Sequence, residues 1–185
     1  GKEAISELGK MGVKKTVMLT GDKEPIAADM AKKAGINEYY AKLLPQEKVE
    51  KVKALQQGTD DIVLYTGDGI NDAPVLAQSD VGVAMGGIGS DVAIEAADVV
   101  IMSDSLSKLP VARKIAKKTM NIVHENIIFS IAVKVLIIIG CAIGIFNENA
   151  MWLAVFGDVG VCLIAVANAL RAMHVSKKIK KNNTL

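Results

Sequence analysis

The 185-residue chain is 51% apolar and only 4% aromatic, and its 22 basic and 20 acidic residues leave a net charge of +2. So small an excess excludes the whole-chain basic field with which a protein holds nucleic acid. The length suits one domain of ordinary size plus a small appendage, and the apolar residues are interspersed before Ser103 but concentrated after Ile127.

Taken in chain order, Lys2 to Met11 reads as an amphipathic helix with Ile5, Leu8 and Met11 on one face and Gly12 as its stop. Thr16-Val17-Met18-Leu19 has the length of a buried parallel strand. Thr20-Gly21-Asp22 breaks it, Pro25 opens a helix facing inward through Ile26, Met30 and Ala34, and Gly35 closes that helix. Pro45 to Leu55 predicts a further helix, stopped by Gly58, and Ile62-Val63-Leu64-Tyr65 a second strand. A turn rich in Gly and Asp follows from Thr66 to Pro74, then a short helix over Ala73–Ala77, a strand over Val81–Met85, a helix over Ser90–Ala97 and a strand over Val99–Met102. Strands and helices alternating at these lengths predict an α/β domain built on a parallel sheet covered on both faces, with its chemistry beyond the carboxyl ends of the strands.

The pattern changes after Ser105. Leu109 to Asn126 is a basic helix with Arg113, Lys114, Lys117 and Lys118. Two apolar runs follow, Ile127–Phe146, interrupted by Ser130 and Lys134, and Ala150–Leu170, interrupted by Asp158 and Asn168. Each suffices to cross a hydrocarbon core, which takes about 20 helical residues. The link at 146–149 is short, so the runs predict a transmembrane hairpin. Basic residues flank both outer ends, including Arg171, Lys177, Lys178, Lys180 and Lys181 after the second run, whereas the link carries Glu148 and no base. That asymmetry predicts a multi-pass protein of the cell membrane, with the α/β part and the C-terminus in the cytoplasm. The basic tail is either solvated or rests on anionic headgroups of the lipid bilayer. His124 and His174 read as interfacial residues, and Cys141 and Cys162, with no CxxC spacing, as small buried hydrophobes or, less simply, as metal contacts. The expected divisions are 1–104, an α/β domain; 105–126, a basic connecting helix; 127–173, two transmembrane helices; and 174–185, a basic cytoplasmic tail.

Three strand-end or helix-start positions carry candidate chemistry. The Thr20 hydroxyl, with Gly21 allowing close backbone approach, can hold phosphate oxygens, or Thr20 is a plain strand end and Asp22 a helix cap. Thr66-Gly67-Asp68-Gly69-Ile70-Asn71-Asp72-Ala73-Pro74 puts Asp68 and Asp72 on one tight turn. Two carboxylates so close call for a hard dication with oxygen ligands, such as Mg²⁺, and Asn71 adds amide donors beside it. Lys48, early in the helix that opens at Leu44-Pro45-Gln46-Glu47, is either a surface lysine or a point charge for a phosphate.

Together, Met18-Leu19-Thr20-Gly21-Asp22, Leu44-Pro45-Gln46-Glu47-Lys48 and the 66–74 turn resemble the phosphorylation-domain motifs of the P-type ATPases, a family with the haloacid-dehalogenase-like fold. The resemblance covers essentially the whole chain, hairpin included. It implies a partial haloacid-dehalogenase-like domain in which Asp68 ligates Mg²⁺ with support from Asp72, Thr20 and Lys48 hold the phosphoryl group with Asn71 assisting, and Gly21 and Asp22 shape the ATP side. The family's phosphorylated Asp lies in an Asp-Lys-Thr-Gly-Thr string that these 185 residues lack. The resemblance therefore implies the C-terminal part of a longer ATPase, inactive alone. Its partners would be the actuator domain, the nucleotide-binding domain and the other transmembrane helices, and its sheet would lack the central strand that carries the nucleophile. Asp158-Val159-Gly160 with Lys134 in the preceding span resembles the zinc/cadmium/lead branch. That likeness implies Asp158 as ligand to a transported Zn²⁺, Cd²⁺ or Pb²⁺, Lys134 as its counter-charge, Gly160 as a point of close helix approach, and Asn126 as a weaker candidate. Two competing readings are a membrane-anchored phosphatase of the same fold and a non-catalytic regulatory protein.

Overall fold

A computed structural model describes residues 1–58, 60–67, 70–86, 91–145 and 150–173. Asp68 and Gly69, Ser90, the 146–149 link with Glu148, and His174 with the basic tail lie outside these described residues. The chain divides into two compact units, Gly1–Pro110 and Val111–Leu185, a boundary a few residues later than the expected end of the α/β domain at residue 104.

The first unit alternates as its sequence predicts: α1 Lys2–Lys10, β1 Val17–Leu19, α2 Glu24–Ala34, β2 Glu38–Tyr40, α3 Pro45–Gln57, β3 Leu64–Gly67, a 3₁₀ turn Ile70–Asp72, α4 Ala73–Gln78, β4 Val81–Met85, α5 Asp91–Ala96 and β5 Val99–Ile101. Glycine ends α2 as expected: Gly35 has φ 72°, and the Ile36 N–H returns to the Ala31 carbonyl at 2.9 Å. β3 runs two residues further than its apolar stretch, because Thr66 and Gly67 pair with Val83 and Ala84 of β4.

All strand pairs are parallel, but they form two ladders, β1–β2 and β3–β4–β5. Among the described residues β1 pairs only with β2, and β3 only with β4, so each leaves one edge without a partner strand. Among the described residues the two ladders do not join into a single sheet. β2 itself was not expected. Its three residues owe their order to side chains: Lys15 Nζ meets Glu38 Oε2 at 2.6 Å, the Tyr40 hydroxyl donates to Glu38 Oε1 at 2.7 Å, and the Lys51 ammonium lies 4.2 Å from the Tyr40 ring centre. The Lys15 and Tyr40 hydrogen bonds hold the Glu38 carboxyl below its ordinary range.

Strand alternation sorts the core. Val83 and Met85 of β4 pack with Leu8, Ile101 and Leu109 on one face, while Ala84 packs with Leu76 and Ala93 on the other. The second face is built from small residues so that α4 can lie close to it. A Cβ at Gly82 would fall 2.6 Å from the Leu76 carbonyl oxygen.

Helix α6 starts in the last residues of the first unit and runs unbroken over Lys108–Ala142, about 52 Å at 1.5 Å per residue. The separate connecting helix expected over 105–126 is thus continuous with the first span. Pro110 sits in the first turn, where its missing N–H is harmless, and no residue between there and Gly140 breaks a helix. Gly144, at φ 81°, closes it, with the Ile145 N–H on the Gly140 carbonyl at 3.0 Å. The second span comprises α7 Ala150–Val155, a π turn Phe156–Gly160 and α8 Val161–Ala169. Both helical stretches are long and apolar enough to cross a membrane.

Gly82→Ala is expected to cost about 1–3 kcal/mol, since the obstructing atom is backbone. Gly9→Ala, with nothing within 4 Å of the added carbon, should be neutral or stabilising. Denaturant midpoints at unchanged slope measure both; equal midpoints for the two variants would refute the close-packing account.

Candidate functional site

Helix α3 presents Lys48 through its own first turn. Pro45 fixes the entry backbone, and the Glu47 carboxylate accepts the Leu44 N–H at 2.7 Å, satisfying a donor left over at the helix start. The segment before it is stitched to the first motif: the Leu43 N–H donates to the Thr20 carbonyl at 3.0 Å and the Lys42 N–H to the Asp22 carbonyl at 2.8 Å. Gly21 lies against the Leu43 carbonyl, 3.4 Å from where a Cβ would stand. The first two motifs, distant in sequence, thus form one backbone-bonded corner.

Lys48 then reaches the third motif. Its Nζ donates to Asp72 Oδ1 at 2.9 Å, and both side chains are largely buried. The same Oδ1 accepts the Tyr65 hydroxyl, also at 2.9 Å. Tyr65 and Gly67 share a face of β3 by strand alternation, and Asp72 lies over that face. A Cβ at Gly67 would come within 2.7 Å of the Asp72 Cβ and 3.0 Å of its Oδ2. Gly67 is therefore required by the close approach of Asp72. Oδ2 accepts no bond from the described residues, whereas Oδ1 accepts two.

Of the predicted site residues, Lys48 and Asp72 come together directly. Thr20 and Asp22 form a local pair: the Thr20 hydroxyl donates to Asp22 Oδ2 at 2.9 Å and accepts the Asp22 N–H at 3.1 Å. Asp22 does not cap α2, whose start at Lys23 has no side-chain cap, so the cap alternative falls. Asn71 is exposed on the 3₁₀ turn, and Asp68 lies outside the described residues. Tyr65 was read only as an apolar strand residue. Its signal was present in the sequence, as a phenol two residues before a glycine on the same strand face, leading into an acidic turn.

Oxygen donors dominate this corner, the chemistry that a hard dication takes. The Thr66 hydroxyl, buried with no hydrogen-bond partner, belongs by strand alternation to the other face of β3 and not to this corner. Among the described residues no group of three His, Cys, Asp or Glu side chains converges as a metal cluster, so a cation here would need further ligands.

The second unit joins its two predicted charges. Lys134 Nζ lies 3.0 Å from Asp158 Oδ1, with side chains 56% and 74% exposed. Asp158 sits within the π turn, a local widening that helices tend to place at functional positions. Gly160 departs from its expected role: the space beside it is taken by Phe156 of its own turn, 2.8 Å from a would-be Cβ. Close approach between helices occurs instead at Gly157, where a Cβ would fall 2.5 Å from Ile137 Cδ1 of α6.

Residues 2–80 match the family model of haloacid dehalogenase-like hydrolases. The chain is 49% identical over 178 residues to the cadmium, zinc and cobalt-transporting ATPase of Bacillus subtilis (strain 168), covering 95% of this chain and 25% of that protein. It is also 49% identical over 170 residues to the zinc-transporting ATPase of Synechocystis sp., covering 91% of this chain and 23% of that one. Among solved structures, a zinc-transporting PIB-type ATPase in its E2.Pi state superposes with a TM-score of 0.82 at 38% identity, over 92% of this chain and 27% of that chain. The chain spans about a quarter of the length of the relatives it matches. At this level of identity along nearly its whole length, the chain is similar to a stretch of the heavy-metal-transporting P-type ATPases.

Proposed function

We propose that this chain is the C-terminal part of an ATP-driven pump that exports heavy-metal cations of the Zn²⁺/Cd²⁺/Pb²⁺ type. The observation that carries the reading is the 3.0 Å Lys134–Asp158 pair set within two apolar helices. A charge at membrane depth costs several kcal/mol, about 2.5–3.5 on insertion scales, and is kept where it serves transport. A membrane-anchored phosphatase would need no such pair. Asp158 is the ligand in this reading, and Lys134 its counter-charge when the cation is absent.

The first unit supplies the phosphate side. Lys48 brings a positive charge to Asp72, and the segment leading into its helix is tied by backbone bonds to Thr20 and Asp22. Asp68 and Asp72 are the residues to hold Mg²⁺, with Asn71 beside them. Mg²⁺ bound there supplies neutralisation of phosphoryl charge. Tyr65 and Lys48 keep the Asp72 carboxylate in one orientation by bonding the same oxygen, which leaves Oδ2 available. The aspartate that takes the phosphoryl group from ATP belongs to the rest of the pump, as do the actuator and nucleotide-binding domains and the remaining transmembrane helices. The basic residues before α6's apolar half and after α8 favour a cytoplasmic first unit and C-terminus, with the 146–149 link outside.

Asp158→Ala in the intact pump should abolish zinc-stimulated ATPase activity while phosphorylation by orthophosphate persists. Metal stimulation that survives would reject the cation site. Tyr65→Phe removes one hydrogen bond to a buried carboxylate, and a bond to a charged group is worth about 1.5–3 kcal/mol. The expected result is a roughly tenfold slower phosphoenzyme formation from ATP, with the zinc half-saturation unchanged. An unaltered phosphorylation rate would remove Tyr65 from the site.

A further inference from the structure

The second unit holds a polar cluster that the cation pair does not use. Asn126 Nδ2 of α6 donates to the Ala165 carbonyl of α8 at 3.1 Å. Asn126 Oδ1 accepts from Asn168 Nδ2 at 2.9 Å, and Asn168 Oδ1 accepts from Arg171 Nη1 at 2.7 Å. Arg171 Nη1 and Asn168 Nδ2 also lie 3.3 and 3.4 Å from Glu125 Oε2. The relay has one consistent direction. At one end stands a carbonyl, which only accepts; at the other a guanidinium, which only donates. Both amides must therefore point the same way, and every amide atom in the relay is engaged.

Distance along the hairpin gives the cluster its meaning. Eleven residues beyond Asn126 on α6 is Ile137, and eleven residues before Asn168 is Gly157, where Ile137 Cδ1 would lie 2.5 Å from an added Cβ. Between these contacts, eight residues from Asn126 and ten from Asn168, lie Lys134 and Asp158. The polar relay, the ion pair and the glycine contact thus follow one another in the same order along both antiparallel helices. The π turn, which inserts a residue locally, falls on the longer of the two intervals.

Aliphatic helices in a membrane have little to choose between neighbouring registers, because lipid is as apolar as the partner surface. A slip of one residue turns a helix by about 100° and would carry Asp158 away from Lys134. Directional bonds that are all satisfied in a single alignment select that alignment, as one buried Asn fixes register in coiled coils. We infer that Asn126 and Asn168, buttressed by Glu125 and Arg171, are positioning residues that lock α8 in register against α6 and so bring Asp158 and Lys134 together. Asn126 is on this account a donor between helices and not a cation ligand. The inference rests on the proposed role of Asp158 as the cation ligand.

The test uses the intact pump in lipid, with zinc as the probe. Asn126→Leu and Asn168→Leu each remove the relay while keeping side-chain volume. If only about a tenth of molecules then hold the correct register, the zinc half-saturation rises about tenfold while turnover at saturating zinc stays within about twofold. Phosphorylation by orthophosphate should be retained. Half-saturation that stays at the wild-type value in both variants would overturn the inference, and so would a fall in turnover with half-saturation unmoved, which marks a merely structural lesion. Should either variant fail to reach the membrane, Glu125→Gln weakens only the buttress and should raise half-saturation about threefold by the same arithmetic; no shift there is equally decisive. Asp158→Asn run in parallel separates the two readings. If it retains wild-type half-saturation, the cation site itself is misassigned; if it weakens zinc while the Asn variants do not, only the register lock fails.

Discussion

The first unit depends on one buried contact, the Lys48–Asp72 ion pair. Without it α3 and the 66–74 turn would have no charged link among the described residues, and Asp72, only 8% exposed, would be a carboxylate withdrawn from water with a phenol as its sole described partner. Such pairs add little net stability, because desolvation offsets most of the attraction, but removing one member costs about 3–5 kcal/mol through the charge left behind. The pair therefore matters for geometry more than for folding energy. It holds one end of a corner whose other end, Thr20 to Asp22, is fixed by backbone bonds to the residues just before α3. Lys48 is thus placed by both of its neighbouring motifs.

Close packing makes the contact reachable. Gly67 lets Asp72 lie directly over β3, and Gly82 with Ala84 lets α4 lie close to β4. Each of these positions would otherwise project a Cβ into backbone or carboxylate atoms. The two ladders left open at β1 and β3 carry the opposite lesson. Their unpaired edges offer rows of hydrogen-bonding groups, the arrangement that proteins normally cover. Both are flanked by the motif loops, since Thr20 follows β1 and the 66–74 turn includes the end of β3. A strand supplied by another part of the protein and paired with either edge would end beside those loops, as chemistry at the carboxyl ends of parallel strands requires.

Much of this was legible in the sequence because punctuation and period agreed. Gly35 and Gly58 end helices where they were read to end them, Pro25 and Pro45 open them, and Val81–Met85 is a strand from end to end. The pairing of Lys134 with Asp158 was implied by the family resemblance, which made Lys134 the counter-charge of Asp158. What escaped did so for physical reasons. β2 is three residues long and is held by the Lys15–Glu38–Tyr40 cluster, a tertiary effect without a periodic signature. Tyr65 was hidden because its ring behaves as core and only its hydroxyl as site. The joining of the connecting helix to the first span was hidden because crossing into an apolar run changes composition but gives the backbone no reason to stop. Gly160 was given the role that Gly157 fills: three positions apart, the two would share a side of a regular α-helix, but the π turn that holds both turns them to different neighbours.

The membrane pair has a further consequence for what surrounds it. Lys134 and Asp158 are more than half exposed on their own hairpin. A Lys can extend toward the interface along its alkyl stem, but Asp158 has a short side chain and no such escape. Mutual attraction lowers the cost of the pair but leaves strongly polar atoms that hydrocarbon cannot satisfy. Residues so placed face a bundle interior or a water-filled cavity. In a bilayer the side of the hairpin bearing the pair would need cover by protein or water, whereas the many exposed Ile, Leu and Val residues along α6 and α8 tolerate lipid equally well. The polar pair, more than the apolar surface, sets which side of this hairpin cannot face lipid unaided.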